Sequence, residues 1–423
     1  MGHVVNHHRD YRLLQERFDR HITGAPASPT FTKILELLFT PEEARIVRRF
    51  PTIPKPLSTI AEKLNMDVER LGDMVQDLGR RGLLIDIEHK GKRYAALPPV
   101  VIGFYEYTFM RTRDDAPMDE IARLFDTYMV EDDRFARSVF QNQTQVGRSL
   151  VREESLPSGD HIEILDFERA SRVVENAKAH AVSLCACRHK AEHLGKACDH
   201  EQQNCLSFGN AAEVLIHNGL AERISVSESM RLLEASKEAG LAQTGDNVKN
   251  DLSYICNCCG CCCGMIEAIK TFDINNAIVS SNWIVEIDHE TCTGCAKCEK
   301  ACPVDAIEMV KYQANGRNKQ RAERDAEVCL GCGVCPAECS TGSATMVSRE
   351  QRVFTPEKSF DKYAAMAIER GKIADLIFSD YDSFSHRTFG RLLSVLEKTP
   401  PVKALLAIEP LKSSFLNLLV RNR

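Results

Sequence analysis

Two runs decide how this chain is read: CTGCAKCEKACP, residues 292–303, and CLGCGVCPAEC, residues 329–339. In the first, Cys292, Cys295, Cys298 and Cys302 are separated by two, two and three residues, and Pro303 follows. In the second, Cys329, Cys332, Cys335 and Cys339 repeat the spacing. Thiols two residues apart can converge on one centre. A tandem copy argues against coincidence and against structural zinc, whose sites rarely duplicate this run. The flanks repeat as well. IVEIDHETC reads as a strand entering the first run, PVDAIEMV as a short helix and strand leaving it, and TGSATMV as the counterpart after the second.

This pattern resembles a bacterial two-cluster ferredoxin. The resemblance implies two 4Fe–4S clusters, each wrapped by three close thiolates and completed by a fourth from the other run. Carried over, Cys292, Cys295, Cys298 and Cys339 hold one cluster; Cys329, Cys332, Cys335 and Cys302 hold the other. Two departures bear on loop shape and reduction potential rather than on ligation. Ser340 stands where the pattern has proline, with Pro336 earlier, and the insert YQANGRNKQRAERDAEV is long and charged. Residues 284–350 carry 11 acidic against 8 basic side chains, which suits a partner with a basic docking face.

All 18 cysteines lie between Cys185 and Cys339. Ten precede the tandem runs: Cys185, Cys187, Cys198, Cys205, Cys256, Cys258, Cys259, Cys261, Cys262 and Cys263. Six of these crowd into YICNCCGCCCG, residues 254–264. Disulfides, a zinc or copper thiolate site and an iron–sulfur cluster all compete for them. The opening MGHVVNHHRD has neither the apolar core nor the cleavage site of a secretory signal, and Asn6 breaks the myristoylation pattern. No run approaches the ~18 apolar residues of a membrane span. A cytoplasmic location is therefore expected, and a reducing compartment with this thiol density points to metal.

Neighbouring side chains in an extended segment face opposite ways, so the six clustered cysteines cannot all bind one ion. Gly260 and Gly264 would let the backbone bend between them. Ten thiols suffice for two further clusters with two left over, giving three or four in all. Zinc held by four of them, and a non-cubane cluster of the kind built by paired Cys-Cys motifs, stay open. His189, His193 and His200 sit nearby; His189 and His193, four apart, could share a helical face and a histidine ligand would raise one cluster's potential, but they read as solvated loop residues. Arg188 could donate hydrogen bonds to cluster sulfur. The combination CACR…C…C followed by ICNCC and CCCG resembles an anaerobe-associated family of multi-cluster ferredoxin-like proteins over roughly 161–350. That family implies electron transfer and no more specific role.

The rest of the chain frames these motifs in an α+β fold of five segments. Residues 1–110 read as a winged-helix-like domain. TPEEARIVRRF offers Thr40, Pro41 and Glu43 as a capped helix start. LSTIAEKLNM reads as a helix capped by Ser58. DVERLGDMVQDLGRRGLL puts Leu71, Met74, Val75 and Leu78 on one face behind a cap at Asp67, ending at Gly82. LLIDIEHKGKRYAAL alternates around Lys90-Gly91 like a hairpin wing. Residues 111–160 read as a helical linker, and 161–280 as a helical cysteine-rich domain. There a strip from Phe167 through Ala170, Val174, Ala177 and Ala181 to Leu184 predicts one helix after HIEIL. Helices ending at Gly219 and running from Ser225 to Gly240 follow. Residues 281–350 form the two-cluster domain, and 351–423 a helical C-terminal extension ending in the amphipathic LKSSFLNLLVRNR.

Composition is ordinary for a globular protein, with 43% hydrophobic and 27% charged residues and a net charge of −6. That balance disfavours a whole-chain nucleic-acid binder. The would-be recognition helix carries Asp67, Glu69, Asp73 and Asp77 against Arg70, Arg80 and Arg81, poor for an anionic groove. No dinucleotide fingerprint, Walker loop, catalytic triad or HExxH motif occurs. The expectation is a non-catalytic electron-transfer protein or subunit working with a partner oxidoreductase. The alternatives are a cluster-controlled DNA-binding regulator and a zinc-stabilised scaffold with a ferredoxin head.

Overall fold

The computed structural model describes residues 7–131, 133–156, 166–314 and 317–377. Helices and strands are interspersed along the chain, an α+β fold. Near the N-terminus, helices Pro41–Val47, Leu57–Leu64 and Val68–Arg80 surround a small sheet. Its strands are β1 (Lys55–Pro56), β2 (Ile85–His89) and β3 (Lys92–Ala96), in the order β1-β3-β2. Local chemistry sets these boundaries. Thr40 and Glu43 form a reciprocal capping box, and Pro41 occupies the first turn. Asp67 accepts from the amides of Glu69 and Arg70, while Leu71, Val75 and Leu78 are buried. Lys90 and Gly91 both take positive φ, the geometry a two-residue hairpin turn needs. Ser58 does not cap its helix. The helix starts one residue earlier behind Pro56, with no side-chain cap.

The cysteine-rich region is not the helical domain its pattern suggests. It holds most of a six-stranded antiparallel sheet: β4 (Gly147–Ser149), β5 (His180–Ser183), β6 (Cys205–Phe208), β7 (Glu222–Arg223), β8 (Ala242–Asp246) and β9 (Tyr254–Cys258). The strand order is β4-β8-β9-β6-β5-β7. The predicted helix from Phe167 to Leu184 is real only over Ala170–Asn176; the chain then leaves the helix at Ala177 and enters β5. Every residue of β5 and β8 is buried. Strands covered on both faces lose the apolar–polar alternation that marks a strand, and an apolar run can then imitate a helix face. Helices Ala186–His193, Gly209–His217, Val226–Glu238 and Gly264–Phe272 pack around this sheet. Ser225 caps the third by accepting from the Glu228 amide. Gly219 and Gly240 take positive φ just past the ends of the second and third.

In the tandem-run region β10 (Trp283–Ile287) pairs antiparallel with β13 (Ala344–Ser348). The charged insert contributes to an antiparallel pair of β11 (Ile307–Ala314) and β12 (Arg317–Arg324), in register from Ile307 opposite Arg324 to Ala314 opposite Arg317. The short helix expected after Pro303 lies before it, at Lys297–Ala301. Helices Met118–Asp126 and Asp133–Phe140 occupy the 111–160 segment. Beyond 350, helix Ser359–Arg370 folds back on the sheet, with the buried Lys362 ammonium paired to Asp246 at the end of β8. The stretches HIEIL and LKSSFLNLLVRNR lie outside the described residues. One apolar core runs from Tyr11 to Met366 and includes Cys258, Cys263, Val304 and Leu330. No helix among the described residues is long and apolar enough to cross a membrane.

Candidate metal centres

The fold sorts the ten upstream cysteines into two sets. Cys256 and Cys258 are two apart on β9 and so share a face. On the neighbouring strand, Leu206 pairs with Ile255, which puts Cys205 opposite Cys256. Cys185 stands at the N-cap of helix Ala186–His193 with Cys187 in its first turn, and Cys263 stands at the N-cap of helix Gly264–Phe272. These six thiols line one cavity of about 230 Å³, which Cys259 of the other set also borders. They touch in sequence: Cys185 to Cys187, Cys187 to Cys263, Cys263 to Cys258, Cys258 to Cys256 and Cys256 to Cys205. The Cys258–Cys263 Sγ separation is 3.6 Å.

The other four form a tight group. Cys259, Cys261 and Cys262 belong to the turn between β9 and the following helix, and Cys198 comes from the loop before β6. Their four Sγ atoms all lie within 4.8 Å of one another. Cys198–Cys259 and Cys261–Cys262 are 3.7 Å apart, and Cys198–Cys262 is 3.8 Å. Among the described residues no histidine joins either set. His189 is a buried helical residue rather than a solvated one, with Nδ1 2.8 Å from the Phe109 carbonyl. His193 Nδ1 lies 2.7 Å from Asp119.

Packing thiols this closely splits their acidities. Hydrogen bonds from Cys185 and Cys263 hold Cys187 well below the usual thiol value, and those from Cys256 and Cys263 do the same to Cys258. Their donors Cys185, Cys256 and Cys263 are raised. In the tight group Cys259 falls to about 4, through hydrogen bonding from Cys262 and the charge of Arg188, while burial lifts Cys261 to about 11. Like charges at contact distance cannot all form without a cation between them, so either set becomes fully ionised only around metal. Arg188 is drawn to one of these sulfurs. Its guanidinium is fully buried and donates to the Asn257 carbonyl at 3.1 Å and toward Cys259 Sγ at 3.7 Å.

The cavity also admits residues that sequence reasoning passed over. Tyr105, Glu106, Tyr254 and Lys362 line it beside the thiols. Burial raises Glu106 to about 8, so this carboxyl is protonated at neutral pH. Tyr254 is two residues from Cys256 on β9, whereas Tyr105, Glu106 and Lys362 come from chain segments far from the cysteines, where no local motif marks them.

Around the tandem runs the structure shows the pseudo-repeat in its backbone. Gly294 and Gly331 occupy matching places in the two runs, and both have positive φ. A Cβ on Gly294 would meet the Gln320 carbonyl oxygen at 2.2 Å, and one on Gly331 the Trp283 carbonyl oxygen at 2.0 Å. Both positions therefore require glycine twice over, for conformation and for room. Cys302, Cys329, Cys332 and Cys335 line a common small cavity. Cys292, Cys298, Cys302, Cys329, Cys335 and Cys339 all border one core with Trp283, Val285 and Met346. Cys339 Sγ accepts from the Ala344 amide at 3.4 Å and lies 3.2 Å from Ser343 Oγ. Burial works against its ionisation, but these hydroxyl and amide contacts bring it to about 6.

The two cysteine regions touch. A Cβ on Gly260 would lie 2.7 Å from the Pro303 carbonyl oxygen, so the turn of the upstream set rests on the residue after Cys302. Gly260 is thus needed for close approach. Cys187, Cys256, Cys302 and Cys329 border the same apolar core.

Residues 291–343, which span all eight tandem cysteines, match the family model of the 4Fe-4S dicluster domain. No curated protein and no solved structure matches the chain.

Proposed function

We propose that this chain is an iron–sulfur electron-transfer protein or subunit, passing single electrons between a partner oxidoreductase and 4Fe–4S clusters of its own. Cys292, Cys295, Cys298 and Cys339 are assigned to one cluster, and Cys329, Cys332, Cys335 and Cys302 to the second. The six-thiol cavity is assigned to a third. What carries this reading is the contact of Gly260 with Pro303, which brings the upstream thiols against the Cys302–Cys329 side of the dicluster region. When bound, the clusters supply reversible one-electron chemistry. The protein supplies thiolates, burial and donors such as Ser343 that tune the potentials.

The segment with β1–β3 is read as a winged helix used for docking within the molecule or to a partner, rather than for DNA. Arg70 and Arg81 are engaged by Glu42 and Glu43 at 3.1 and 2.7 Å. Asn218 of the cysteine-rich region donates to the Asp86 carbonyl on β2 at 2.9 Å. The five-segment division, a cytoplasmic location and a redox partner with a basic face belong to the same proposal.

The test is a potentiometric titration of anaerobically purified protein followed by electron paramagnetic resonance, with iron and sulfide measured in parallel. Three one-electron centres and about twelve irons are expected. Cys256→Ser with Cys263→Ser should remove one centre and leave two. Iron of only about eight per chain, with no loss in the double variant, would refute the third cluster.

A further inference from the structure

The two upstream thiol sets differ in spacing, and spacing separates a single ion from a cluster. In a cubane each ligand sulfur binds a different iron at a different corner, so the four sulfurs are spread around the whole cluster. Around one tetrahedral ion they sit at the corners of a much smaller figure. With a zinc–sulfur bond of about 2.3 Å, the edge of that tetrahedron is about 3.8 Å. Cys198–Cys259, Cys261–Cys262 and Cys198–Cys262 are separated by 3.7, 3.7 and 3.8 Å, and all four sulfurs lie within 4.8 Å of one another. Among the described residues this is the group of three or more metal-ligating side chains with all ligand atoms within 4.8 Å. Among the described residues, no three of the eight dicluster cysteines or of the six cavity cysteines draw together in that way, although the single pair Cys258–Cys263 is 3.6 Å apart.

We propose that Cys198, Cys259, Cys261 and Cys262 bind one zinc ion as a closed tetrathiolate site, separate from the iron–sulfur centres. Four protein thiolates leave no open position, which is the form of a structural site. The position fits such a role. No regular element occupies residues 194–204, between helix Ala186–His193 and β6. Cys198 tethers this stretch to the turn that follows β9, and that turn also carries Gly260 against Pro303. The ion thereby fixes the surface through which the six-thiol cavity meets the dicluster region. A zinc tetrathiolate carries a net charge of −2, and the buried Arg188 guanidinium beside Cys259 offsets part of it. Because Arg188 follows Cys187 directly, one side chain links the two thiol sets.

This assignment stands independently of electron transfer: zinc is redox-silent, and the relay needs only the other fourteen cysteines. The experiment measures zinc, iron and sulfide per chain in the full-length protein, purified anaerobically with iron and zinc both supplied. One zinc per chain is expected. Cys198→Ser with Cys261→Ser should lose it while iron, sulfide and the paramagnetic centres stay at the wild-type level. Loss of about four irons and four sulfides from that variant would overturn the proposal in favour of a cubane. One iron lost without sulfide would overturn zinc as the ion. Should the variant fail to fold, zinc-edge X-ray absorption on the wild type decides instead. Four sulfur neighbours at about 2.3 Å support the site. Nitrogen or oxygen neighbours, or no zinc above background, overturn it. Failure of the relay would appear separately, as a missing redox centre with zinc still present.

Discussion

The dicluster region and the upstream cysteine region hold comparable numbers of thiols, yet they are organised by different forces. In the dicluster region the spacing is local. Two residues between thiols and matched glycines at 294 and 331 place the side chains. Upstream, cysteines up to 78 positions apart meet through sheet register and helix starts, as when Cys205 faces Cys256 across β6 and β9. Locally encoded sites survive distant damage. Sites assembled by tertiary structure should not.

That contrast can be broken or sharpened by substitution. The largest effect is expected from Cys258→Ser with Cys263→Ser, which removes two buried, contacting thiols of the cavity. The cavity centre should vanish from the paramagnetic spectrum while the dicluster signals persist. Their joint loss would show that the regions are one folding unit. Next comes Lys362→Met. It leaves Asp246 buried without its cation, a change that costs about 3–5 kcal/mol. The unfolding midpoint should fall, and iron should be lost first from the cavity that Lys362 lines, although Lys362 is no ligand.

Gly260→Ala is expected to be milder. Its methyl group would press on the Pro303 carbonyl, with a strain of about 1–3 kcal/mol. Thermal unfolding measures that loss, and electron exchange between the cavity centre and the dicluster region should slow. Unchanged exchange would remove the contact from the transfer path. The smallest effect belongs to Ser343→Ala. Removing the hydroxyl near Cys339 should lower one dicluster potential, since hydrogen bonds to sulfur favour the reduced cluster, with iron content unchanged. An equal shift in the cavity centre would contradict the ligand assignment.

The same contrast explains what reading the chain could reach. The helix starts at Thr40, Asp67 and Ser225 were legible because a cap is a matter of three or four consecutive residues. So were the eight dicluster cysteines. The helix projected from Phe167 to Leu184 was half wrong, because β5 is buried on both sides and shows no alternation. The antiparallel pair to which the charged insert contributes was missed, since its pairing satisfies backbone groups that side-chain patterns do not report. Glu106 and Lys362 entered the cavity without any local sign.

By itself the amino-acid sequence determined that this protein concentrates thiols for metal, and which eight belong to the tandem runs, because those ligands are set by spacing along the backbone. Only the tertiary structure set six of the other ten around a cavity and four in a tight tetrad, with Cys259 of the tetrad at the cavity's border. Pairing between strands, and the contact of one turn with Pro303, depend on residues distant in the chain. No count of intervening positions contains them.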